Sequence, residues 1–126
     1  MSQDRRERRL SHGGMGLLEP TLLLFLHHGP AHGYTLIDQL AQYNLPDLHP
    51  SVVYRNLRNM ETKGWVTSSW DIAGGQGPPR RVYKLTLVGD EVLKTYVDDL
   101  ESTQNRITDL VTAYYRHIEE GQGEYH

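Results

Sequence analysis

The segment Pro50-Ser51-Val52-Val53-Tyr54-Arg55-Asn56-Leu57-Arg58-Asn59-Met60-Glu61-Thr62-Lys63-Gly64 decides the reading, together with Trp65-Val66-Thr67-Ser68-Ser69-Trp70 and Arg81-Val82-Tyr83-Lys84-Leu85. Val53, Leu57 and Met60 recur at spacings of four and three, which gathers them on one face of a helix. The opposite face carries Ser51, Val52, Arg55, Arg58, Asn59 and Thr62. This predicts a helix over 51–63, closed by Gly64 in a left-handed cap. Residues 65–70 and 81–85 alternate β-branched and aromatic side chains and predict two strands. Ala73-Gly74-Gly75-Gln76-Gly77-Pro78-Pro79 is the turn between them. Helix, strand, turn, strand is the layout of a winged helix-turn-helix, with a helix for the major groove and a hairpin for the flanking backbone.

Charge follows the same division. Between Leu48 and Lys84 lie six basic residues (Arg55, Arg58, Lys63, Arg80, Arg81, Lys84) and two acidic ones (Glu61, Asp71), a balance of +4. Residues 87–126 hold three basic and nine acidic residues, a balance of −6, in a chain of net charge −3. The cations are therefore concentrated where a polyanion would be touched.

Upstream, residues 1–16 include Arg5-Arg6-Glu7-Arg8-Arg9 and Gly13-Gly14 and read as a flexible basic N-terminal arm, equally suited to DNA and to solvent. Glu19-Pro20 opens a first helix that Leu22, Leu23, Leu24, Phe25 and Leu26 make apolar nearly all round. Gly29-Pro30 ends it. His32-Gly33-Tyr34 starts a second helix with Tyr34, Ile37, Leu40 and Ala41 inward and Asp38, Gln39 and Gln42 outward. Residues 44–50 form the loop to the third helix. Downstream, residues 89–120 predict one long helix without proline. Leu93, Leu100, Ile107 and Tyr114 are seven apart, with Tyr96, Thr103, Leu110 and His117 in the companion position. A helix of about thirty residues spans about 45 Å, more than the preceding small domain can cover, so a second copy of the chain is the expected partner.

The 126 residues contain no cysteine, which excludes disulfides, thiolate zinc sites and cysteine nucleophiles. The run from Leu17 to Leu26 is too short to cross a bilayer, and no signal peptide is evident, so a soluble, cytoplasmic protein is expected. His27, His28, His32 and His49 show no convincing ligand spacing, Gly29-Pro30 breaking the helix between His28 and His32, so no metal and no cofactor is expected. The glycine-rich turn lacks the Gly-Lys-Ser/Thr of a phosphate-binding loop, and no catalytic triad order is present, so no enzyme is expected.

Several segments together resemble the PadR family of transcriptional regulators. They are Gly29-Pro30-Ala31-His32-Gly33-Tyr34, Pro50 to Leu57, Gly64-Trp65-Val66, Gly77-Pro78-Pro79-Arg80-Arg81-Val82-Tyr83-Lys84-Leu85-Thr86, and Gly89. Arg55 departs from the pattern, which often has proline after the tyrosine of the third helix. The single C-terminal helix resembles the short subfamily. The resemblance implies a mainly α fold with a small β-hairpin: a winged helix-turn-helix domain over 17–87, a dimerisation helix over 88–120 and a tail over 121–126. It also implies a homodimeric repressor, a pseudo-palindromic operator and release by a small molecule that it does not identify; a tyrosine closing an apolar pocket while offering one hydroxyl would suit a small aromatic or lipophilic effector.

Ser51, Val52, Tyr54, Arg55, Arg58, Asn59, Arg80 and Arg81 are the expected DNA-binding residues. Arg55, Arg58 and Asn59 suit base edges, because arginine pairs with guanine and asparagine with adenine. Ser51, Tyr54 and Arg80 suit phosphates, and since neighbouring strand residues point to opposite faces, at most one of Arg80 and Arg81 points straight at the duplex. Tyr54 equally suits packing. Leu93, Leu100, Ile107, Leu110 and Tyr114 are the expected dimer interface. By resemblance, Glu19, Tyr96, Val97 and Leu100 would line an effector pocket, although plain dimer packing explains the last three as well. A winged-helix module that binds protein rather than DNA is the alternative reading.

Overall fold

In the computed structural model, residues 16–43, 48–71 and 79–121 are described. The arm up to residue 15, residues 44–47 of the loop, residues 72–78 with most of the turn, and the tail over 122–126 lie outside the described residues. The elements are α1 (Leu18–His28), β1 (Ala31–His32), α2 (Gly33–Gln42), α3 (Pro50–Thr62), β2 (Val66–Asp71), β3 (Arg80–Leu85) and α4 (Leu87–Gly121). The strands form one antiparallel sheet in the order β1-β3-β2. The fold is thus mainly helical with a small sheet. It includes one strand, β1, that two residues between a helix stop and a helix start gave no pattern to predict.

The chain divides into two compact units, one ending at Leu93 and one beginning at Lys94. In the first, Leu22 and Leu23 of α1, Leu36 of α2 and Val53, Leu57 and Met60 of α3 are fully buried. Val66 and Tyr83 close the core from the sheet. In α2 the expected inward face is turned by about one residue: Gly33, Leu36 and Leu40 are buried, whereas Tyr34 is 45% exposed and Ala41 is exposed. The cause lies at Gly33, where a Cβ would come within 2.5 Å of Tyr54 Cε1. The ring of Tyr54 thus lies against the bare backbone of α2, and Tyr34 next to it is turned outward.

Both ends of α3 are closed by local chemistry. At the start, Pro50 occupies the first turn and His49 Nδ1 accepts the Ser51 backbone N–H at 3.1 Å, the service a capping serine or aspartate usually provides. At the end, Gly64 has φ +80°, the Trp65 N–H donates to the Met60 carbonyl (2.9 Å) and the Gly64 N–H to that of Glu61 (3.0 Å). That pair of bonds is a Schellman cap, which satisfies carbonyls left over by the helix and turns the chain into β2.

The crossing from β3 into α4 is tight. Thr86 Oγ1 accepts the Gly89 N–H at 3.0 Å, capping α4, and lies 2.6 Å from the Gly64 carbonyl oxygen. The Thr86 N–H donates to the Trp65 carbonyl at 3.1 Å. A Cβ on Gly89 would collide with that same Trp65 oxygen, so the helix can sit there only with glycine.

Candidate nucleic-acid interface

The α3 side chains divide as their spacing requires. Val53, Leu57 and Met60 are each 0% exposed, while Ser51, Arg55, Arg58 and Asn59 are exposed and Val52 is half-buried. Two polar groups on this helix are turned to its own backbone: Asn56 Nδ2 donates to the Val52 carbonyl (2.8 Å) and Thr62 Oγ1 to that of Arg58 (3.0 Å). Ser51 Oγ lies 2.8 Å from His49 Nδ1, so its hydroxyl is engaged by the cap. Tyr54 is half-buried against Gly33, which favours its packing role. The uncommitted cationic reach of the helix is that of Arg55 and Arg58, with the Asn59 amide beside them.

Arg80 and Arg81 take opposite faces of β3, as their adjacency demands. Arg81 pairs in register with Trp70 and Tyr83 with Ser68, so these four share the face toward α3. The Arg81 guanidinium lies 4.4 Å from the centroid of the Trp70 ring and Nη1 donates to Ser68 Oγ at 3.1 Å. Ser68 Oγ lies 2.8 and 3.0 Å from the two carboxylate oxygens of Glu61, to which it donates its single proton. Arg81 is thereby linked through Ser68 to the acidic end of α3. Tyr83, 3% exposed, lies in the same neighbourhood; burial first, then the Glu61 charge and Tyr54, raise its phenol pKa, while the charges of Arg81 and Arg58 oppose the rise.

On the other face, Arg80 Nη1 donates to Tyr34 Oη at 3.0 Å, with its guanidinium 5.0 Å from the centroid of that ring. Tyr34 is stacked on His32, with centroids 5.3 Å apart and planes 25° from parallel. His32 Nε2 is 3.1 Å from Asp71 Oδ2. The sequence marks His32-Gly33-Tyr34 as a helix start and as a segment of the family resemblance, but it does not point to Arg80, since contacts between residues 46 apart have no signature in spacing. Among the described residues, no group of three or more His, Asp or Glu is close enough to hold a metal ion. No described helix is long and apolar enough to cross a membrane.

A capped helix with exposed arginines on one face, followed by a two-stranded hairpin with arginines where its second strand leaves the turn, is the arrangement the sequence pattern called for. The profile of the transcriptional regulator PadR-like family matches residues 22–95, more than half of the chain. The chain belongs to the PadR-like family. This is a family of transcription regulators, not of enzymes. A conserved protein of unknown function, described as a potential transcriptional factor, is similar in structure at 31% identity with a TM-score of 0.72, covering 86% of this chain and 97% of that one. A PadR family transcriptional regulator from Eggerthella lenta is 27% identical, with a TM-score of 0.63 over 87% of this chain and 89% of its own. A PadR family regulator from Clostridium difficile shares the fold at 19% identity, with a TM-score of 0.67 over 76% of this chain and 99% of that one. No curated protein matches the chain.

The remaining residues of interest in this PadR-like chain differ in exposure. Leu93 is 7% exposed in the single chain, covered within the first unit. Leu100 is half-buried, whereas Ile107 (42%), Leu110 (71%) and Tyr114 (58%) are open to solvent in the single chain. Glu19 is half-buried on α1 in the first unit; in the second, Tyr96 is half-buried and Val97 exposed.

Proposed function

We propose that this PadR-like regulator is a homodimeric, sequence-specific DNA-binding repressor. The observation that carries the reading is the division of α3, whose inner stripe is fully buried while Arg55, Arg58 and Asn59 face outward. In this reading α3 enters the major groove and Arg55, Arg58 and Asn59 meet base edges, with Ser51 and Val52 at the groove's edge. Arg80 meets flanking phosphate, and Arg81, tied to Ser68 and Trp70, contributes charge from the opposite face of the wing. Residues 17–87 act as the DNA-binding domain and residues 88–120 as the dimerisation helix, so two copies read half-sites about 34 Å apart on a pseudo-palindromic operator. Release by a small aromatic or lipophilic effector belongs to the same proposal. Such a molecule acts by favouring a dimer whose two α3 helices no longer match the half-site spacing.

Titration of labelled duplex from upstream of the gene tests this reading. Affinity should fall steeply with salt, because each phosphate contact releases counterions. Arg58→Ala should relax sequence preference by about 1–3 kcal/mol at one base pair, whereas Arg80→Ala should weaken all sequences alike. Binding that is absent, or indifferent to salt, overturns the reading in favour of a protein-interaction module.

A further inference from the structure

We infer that Tyr34 and His32 are positioning residues for Arg80, holding its guanidinium ready for the DNA backbone; the inference rests on the DNA-binding reading above. Tyr34, a large aromatic side chain at the second position of α2, is 45% exposed, and its ring and hydroxyl contact Arg80 and His32. The contacts form a sequence: Asp71 Oδ2 to His32 Nε2 at 3.1 Å, the His32 ring to the Tyr34 ring at 5.3 Å, and Tyr34 Oη to Arg80 Nη1 at 3.0 Å. The first link is anchored in backbone structure. His32 pairs with Val82 in the sheet, and Val82 is two residues from Arg80 on the same face of β3. The far end of the sequence, Asp71, is the register partner of Arg80 itself. A relay of side chains from β2 (Asp71), β1 (His32) and α2 (Tyr34) therefore ends on one guanidinium.

An arginine on a surface strand ordinarily samples many rotamers and loses that freedom when it grips a phosphate. Here a flat ring supports the flat guanidinium and a neutral hydroxyl takes one of its five N–H groups, leaving others for a phosphate. A phenol holds the head group without adding a charge that would oppose the phosphate. The position is also apt, because Gly33, next to Tyr34, lies against Tyr54, next to Arg55. The platform thus stands one residue from the junction of α2 with the proposed base-reading helix.

A double-mutant cycle on the full chain tests this, with two labelled duplexes, one from upstream of the gene and one of scrambled sequence. Tyr34→Ala should weaken both by the same factor, about two- to five-fold, the contribution of an exposed cation–π contact. In an Arg80→Ala background, neither Tyr34→Ala nor His32→Ala should cause further loss. Tyr34→Phe keeps the ring beneath the guanidinium and should lose less than Tyr34→Ala, which guards against a folding defect as the explanation. Equal losses in both backgrounds, no loss, or a loss confined to one duplex overturns the inference while leaving the DNA reading intact. If the unaltered chain binds neither duplex even at low salt, the DNA reading falls and the inference with it.

Discussion

At Gly89 the chain tolerates no side chain, because a Cβ there would collide with the Trp65 carbonyl oxygen, which is backbone and also accepts the Thr86 N–H. Gly89→Ala should therefore destabilise the first unit by about 1–3 kcal/mol, the range for forcing extra volume into a packed site, read as a lower urea midpoint. Gly33 makes an instructive contrast. Its Cβ would meet the ring of Tyr54, a side chain that can swing away, so Gly33→Ala should cost less stability than Gly89→Ala. Thr86 stands between these cases: its hydroxyl oxygen accepts the Gly89 N–H and approaches the Gly64 carbonyl oxygen. Thr86→Ala should cost about 1 kcal/mol as a lost helix cap, and Thr86→Ser should recover most of it.

Among the elements, β3 does the most, since it joins the wing to the core and divides its side chains between them. Tyr83 is its inward anchor, and burial is the largest cause of its raised phenol pKa. Above the ordinary tyrosine value of about 10, the unfolded chain releases this proton while the folded chain keeps it, so the folded state binds more protons and stability falls as pH rises. Unfolding followed from about pH 9 to 11 should show that decline, and Tyr83→Phe should flatten it; an unchanged slope would place the alkaline sensitivity elsewhere. The elements themselves were largely legible from sequence, because α3 and the hairpin carry short periodic patterns with strong stop signals such as Gly64. What escaped depends on contacts between distant residues. The turn of α2 that exposes Tyr34 is set by Tyr54 lying on Gly33, β1 exists only through its pairing with β3, and the cap on α3 comes from a histidine, outside the usual capping types. The same holds for the candidate site: Arg55, Arg58 and Asn59 follow from helical spacing, whereas the support beneath Arg80 follows from tertiary structure alone.

For the whole molecule, the decisive question is what covers the second half of α4. Along the heptad positions, exposure in the single chain rises from 7% at Leu93 to 42% at Ile107 and 58% at Tyr114, with Leu110 at 71% in the companion position. Leu93 is thus already used by the fold of its own chain, and the seam proposed between subunits begins after it. Burying an open leucine or tyrosine contributes about 1.5–3 kcal/mol, and in a two-fold interface each substitution counts twice. Leu110→Ala with Tyr114→Ala should therefore weaken self-association more than a hundredfold, since every 1.4 kcal/mol is about tenfold. Light scattering on the eluting protein should show a dimer for the unaltered chain and a monomer for the double variant at the same concentration, with helical circular dichroism retained. The monomer should then bind an isolated half-site as the parent does but lose the advantage of a full operator, because the second half-site is no longer held at a fixed distance. A double variant that stays dimeric, or that keeps full-operator affinity as a monomer, would show that the two α3 helices are not paired through this seam.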